Sequence, residues 1–191
     1  MNIMKSGCKT LAMLALSLAL KCTFAHELPD NRVTLVLRDG NHVAVTFFLN
    51  YAVVLHKALL PQKSFQEFAL ATSTFPIDRL RHDLLRIQQK LAADTLFTLR
   101  NGKVLPLSNW KWPDAERVQA LLREHAMRMV VDPGAHSHDD QLEVTAEIRS
   151  VTEITSLTAK LPEQLAPIMV VSYRPSQIWV REKAAAPLIS F

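Results

Sequence analysis

Arg32-Val-Thr-Leu-Val-Leu-Arg38, Asp39-Gly40-Asn41 and His42-Val-Ala-Val-Thr-Phe-Phe-Leu49 follow one another without interruption. The two outer runs are rich in β-branched and aliphatic residues, which suit a pleated surface. The Asp-Gly step between them supplies the positive φ that a tight turn needs. This stretch predicts a β-hairpin, and it places the start of a sheet at the start of the folded chain.

Downstream, Tyr51 to Leu60 is apolar around His56 and Lys57 and reads as a short helix ended by Pro61. Ser64 with Glu67 three residues on is a capping box for a second helix through Ala71. Ile77, Leu80, Leu84, Ile87 and Leu91 recur at spacings of three and four, with charged residues between them. That pattern is an amphipathic helix over 77–93 with Pro76 at its entry. Thr95 to Arg100, Asn101-Gly102 and Lys103 to Trp110 predict a second hairpin. Pro113 to Glu124 predicts a helix. The alternation of Met127, Met129 and Val131 with Arg128 and Val130 favours a strand over 126–131, with a continued helix as the alternative. Gln141 to Arg149 alternates as a half-buried strand. Ile154–Leu161, Ile168–Tyr173 and Gln177–Arg181 are three further candidate strands.

Together these elements predict an α+β fold: a mainly antiparallel sheet or β-sandwich, with a helical insert between the first and second hairpins. The 191 residues suit one domain, and 49% apolar residues with four glycines exclude a disordered or collagen-like chain.

The first 25 residues read as a targeting segment. Lys5 and Lys9 precede the ten-residue run Leu11–Leu20, and Thr23-Phe24-Ala25 fits a signal-peptidase site. The run is half the length of a membrane span. The expected organisation is a signal peptide over 1–25, one domain over 26–181 and a loose tail over 182–191. Cleavage removes Lys5, Lys9 and Lys21. That takes 22 Lys and Arg to 19 against 18 Asp and Glu, and the net charge from +4 to +1. Such a product gives no case for nucleic acid. It carries no further long apolar run and belongs in a periplasm. Both cysteines, Cys8 and Cys22, leave with the signal peptide.

Four constellations bear on chemistry. Cleavage after Ala25 makes His26 the first residue, so that its amine and imidazole together offer nitrogen ligands of the kind Cu(II) favours. His136-Ser137-His138-Asp139-Asp140 puts two imidazoles and two carboxylates within five residues, a donor set for copper, nickel or zinc. The metal reading therefore uses His26, His136, His138 and Asp139, with copper or nickel as the ion. Against it stands a solvated polar loop after Asp132-Pro133-Gly134. Met127 and Met129 on a strand would aim two thioethers at Cu(I), although a core face shared with Val131 is the stronger explanation. Of the three tryptophans, Trp110, Trp112 and Trp179, the first two share a strand face around Lys111 and form a platform for a sugar ring or a partner protein, or else a core plug. No Gly-x-Ser-x-Gly, phosphate loop or His-Glu-x-x-His occurs. The leading expectation is thus a noncatalytic accessory module acting with a protein or membrane-protein partner.

Ala25-His26-Glu27-Leu28, Asn101-Gly102-Lys103 and Val170-Val171-Ser172-Tyr173-Arg174-Pro175 give the chain a resemblance to uncharacterised exported proteobacterial proteins. Some of those accompany membrane metal transporters. The resemblance implies a periplasmic accessory role in which metal could be the cargo.

Overall fold

The computed structural model describes residues 31–131 and 141–175. The opening hairpin is β1 (Asn31–Arg38) and β2 (His42–Asn50), antiparallel, with Leu37 opposite Val43 and Val33 opposite Phe47. Gly40 sits at φ +69 and Asp39 at +34, the left-handed backbone that the Asp-Gly turn was expected to supply. Three helices follow: α1 (Tyr51–Leu59), α2 (Phe65–Ser73) and α3 (Ile77–Asp94). The capping box on α2 is formed in full: the Glu67 backbone N–H donates to Ser64 Oγ, and the Ser64 N–H donates to the Glu67 carboxylate. On α3 the residues at three- and four-residue spacing, Leu80, Leu84, Ile87 and Leu91, are the buried ones.

The chain continues through β3 (Leu96–Leu99), β4 (Val104–Leu105), β5 (Leu107–Lys111), α4 (Ala115–Val131), β6 (Gln141–Arg149), β7 (Leu157–Lys160), a single 3-10 turn at Glu163–Leu165 and β8 (Ile168–Tyr173). One sheet has the order β5-β6-β2-β1-β8; a smaller one has β4-β3-β7. Among the described strands only β1 and β8 run parallel. The fold is α+β with a mainly antiparallel sheet, as the strand patterns predict.

Alternate residues of the large sheet enter one core. Val33, Val45, Phe47, Leu49, Val144 and Ile148 meet Tyr51, Leu55, Phe68, Leu80 and Leu122 from the helices. The opposite residues, such as Thr34, Thr46 and Thr145, line the other face of the same strands.

Two local expectations change. The second hairpin turns at Asn101-Gly102, but its return strand is only two residues long. Pro106 carries no N–H to continue the ladder, and after it the chain crosses to the large sheet as β5. The strand expected over 126–131 is instead the last part of α4. The alternation there misleads because Met127 and Val131 lie on the exposed side of the helix with Val130 between them. The strand expected over Ile154–Leu161 is formed only from Leu157 to Lys160. Gln177–Arg181 and the tail lie outside the described residues.

Candidate functional site

His26, His136, His138 and Asp139 all lie outside the described residues, as does Trp179. Among the described residues no group of three His, Cys, Asp or Glu could hold a metal ion. The thioether pair is not a site either. Two residues apart on a helix is about 200° of rotation, so Met127 points outward at 67% exposure while Met129 packs against the core.

The tryptophans do come together. Trp110 and Trp112 stack with ring centroids 5.0 Å apart and planes 11° from parallel, and Trp110 stacks on Phe47 at 5.8 Å. The plate is half core plug and half surface, since both indoles are partly buried. Trp112 and Pro113 form one wall of an open groove of about 630 Å³ between α3 and the start of α4. Leu84 and Leu85 of α3 face it from the other side, with Gln88 beyond them. Leu84 is buried, but Leu85 is 55% exposed.

The groove has a fixed rim. Arg81 donates from Nη1 to Asp78 Oδ1 at 2.7 Å and from Nη2 to Glu116 Oε1 at 2.7 Å, tying α3 to α4. Asp114 accepts from the Arg117 backbone N–H at 2.6 Å and thereby caps α4. Below lies Tyr51, fully buried. Burial pushes its phenol up to about 12, and the Gln88 side chain only partly offsets this. Tyr51 is therefore a neutral core residue at ordinary pH. The arrangement offers an apolar wall, one free aliphatic side chain and a rim of fixed charges. It offers no nucleophile with a base beside it.

Leu85 and Gln88 escaped the sequence reading. The signal was present: Leu85 is a large apolar residue directly after Leu84 and off the apolar stripe of α3.

A second polar cluster lies at the β5 end of the sheet. Glu147 Oε2 accepts from Asn109 Nδ2 and Arg149 Nη2, each at 3.1 Å, and lies 3.5 Å from His42 Nε2. The Asn109 and Arg149 hydrogen bonds hold its carboxyl below the usual glutamate value.

Comparison with protein-family models, with curated proteins and with solved structures finds no match to this chain.

Proposed function

We propose that the protein is an exported, periplasmic accessory module that binds a protein or membrane-protein partner and does no chemistry of its own. The observation that carries this reading is Leu85, 55% exposed across the α3–α4 groove from Trp112. An aliphatic side chain and an indole facing one groove, rimmed by polar groups, have the composition of an interface anchor. The test is a photo-crosslinking residue at position 85 in cells. A reproducible adduct with one envelope protein is expected, and it should be lost on Trp112→Ala. The same probe at Val151, 91% exposed and away from the groove, should give none. Equal, scattered adducts at both positions would refute the reading.

A second reading, a copper or nickel binder, is favoured by the strand register. Asn50 lies opposite Gln141, and its backbone N–H donates to Asn31 Oδ1 at 2.9 Å. The start of β1, the end of β2 and the start of β6 are thus side by side. His26 precedes Asn31 by five residues and His138 precedes Gln141 by three. The segments that carry both histidines therefore enter the sheet at the same end of neighbouring strands. Cu(II) titrated into the chain beginning at His26 should bind well. It should bind tens-fold more weakly with one extra N-terminal residue, or in His136→Ala/His138→Ala. Equal weak uptake by all three forms removes the metal reading and leaves the docking groove standing.

A further inference from the structure

The two edges of the large sheet are built differently. At one edge, β5 has a register shift between Ser108 and Lys111, with Asn109 at φ +54 inside it. A bulge and an outward lysine are the usual means of preventing a further strand from adding. At the other edge, β8 reads Ile-Met-Val-Val-Ser-Tyr over 168–173. It has no charge, no proline and no bulge. All six residues pair in continuous parallel register with β1, from Asn31 opposite Ile168 to Val36 opposite Tyr173. Among the described residues no strand pairs with its far side.

The core also runs out at this edge. Val33 on β1 is fully buried, whereas its neighbour Val170 on β8 is 50% exposed. Beside it a groove of about 470 Å³ opens between the sheet edge and the segment before β7, floored by Leu35, Leu37, Ile154 and Leu157. One more strand beside β8 would pair its backbone and set alternate apolar side chains over that floor.

We propose that β8 pairs antiparallel with β8 of a second copy of this chain, making one continuous sheet across a two-fold axis. The chemistry of the edge is self-complementary. A two-fold centred on Val170 sets Ile168 opposite Ser172 and Met169 opposite Val171. One centred on Val171 sets Val170 opposite Ser172 and Met169 opposite Tyr173. Neither brings like charges together within the strand, and each contact uses both unguarded edges at once. A two-fold homodimer is also the commonest closed assembly.

Sedimentation equilibrium of the purified protein tests this. A dimer is expected whose dissociation constant rises roughly tenfold or more on Val170→Lys, since an edge lysine opposes strand addition. At dilutions where both proteins are monomeric, the Lys variant should keep the wild-type melting temperature, because Val170 is half exposed. With Cys8 and Cys22 replaced by serine, Val170→Cys or Val171→Cys, whichever lies on the axis, should oxidise to a disulfide-linked dimer. A protein that stays monomeric at hundreds of micromolar overturns the proposal. If the β8 amides of that monomer exchange as slowly as those of β1, the chain's own residues 176–191 cover the edge instead. A dimer indifferent to Val170→Lys, with neither cysteine cross-linking, overturns it equally.

Discussion

Asn109 holds a left-handed backbone at φ +54, which asparagine tolerates better than most residues. That conformation aims its amide at Glu147 from across the strand pair. The carboxylate binds a proton less readily folded than unfolded, because Asn109 and then Arg149 donate to its charged form. Its stabilising contribution is therefore present above the unfolded value near 4.5 and is lost as pH falls through the lower folded value. Glu67 has the same sign, held down first by the Ser64 backbone N–H. Wild type should melt above Glu147→Gln by a constant margin from pH 7 to roughly 5.5, and the margin should close as pH drops below about 4.5. A margin unchanged down to pH 3, followed by circular dichroism, would show that these hydrogen bonds do not select the charged form. Nothing in the sequence announced this cluster. A bulge has no period, and an asparagine inside a strand run is its only trace.

At the scale of elements, signals that are local in the chain were legible. Asp39-Gly40 and Asn101-Gly102 each mark a turn with glycine at positive φ, and Ser64-x-x-Glu67 marks a helix start. The stripe of α3 gave its buried face residue by residue. Signals that depend on a distant partner were not legible. Whether Leu107–Lys111 joins β3 or β6 is decided by Pro106 and by the edge that β6 offers, 30 or more residues away. The end of α4 was misread because an exposed helical face can carry Met127, Val130 and Val131 as readily as a strand can. The candidate groove had the same fate. Trp112 was legible as a platform or a core plug, but its place across a groove from Leu85 needs α3 and the start of α4 side by side. Two predictions belong here. Ser64→Ala removes the cap of α2 and should cost about 1 kcal/mol in urea unfolding; no change would show that α2 is held by packing alone. Leu84→Asp should abolish folding, since Leu84 is 3% exposed on the α3 stripe. Leu85→Asp, one residue along, should leave the melting temperature nearly unchanged. Equal loss in both would mean that Leu85 is a core residue and the groove is closed in solution.

For the whole molecule, the decisive closure is β1 on β8, which joins the first and last described strands. Asn31 sits at that junction, 3% exposed. Its Nδ2 donates to the Leu165 carbonyl at 2.9 Å, across 134 residues of sequence, and its Oδ1 accepts the Asn50 N–H at 2.9 Å. One side chain therefore ties the start of β1 to the end of β2 and to the 3-10 turn that leads into β8. Loop closure of that length is entropically expensive, so it is held only once the rest of the core is formed. Asn31→Ala strands a buried acceptor and a part-buried donor together, at a cost of about 2–4 kcal/mol. In a domain of this size that is roughly 5–15 °C in melting temperature. Because the tie spans the sheet, the helical signal at 222 nm and the fluorescence of Trp110 and Trp112 should shift by the same amount in one transition. Asn31→Asp should fare no better. Its carboxylate still accepts from Asn50 but has no proton to give Leu165, and it puts a buried charge against a carbonyl oxygen. If the β8 amides lose protection from hydrogen exchange while the helical and tryptophan signals stay, β8 and the 3-10 turn come away as a separate unit. The β1–β8 closure would then be an attachment to a fold that is complete without it.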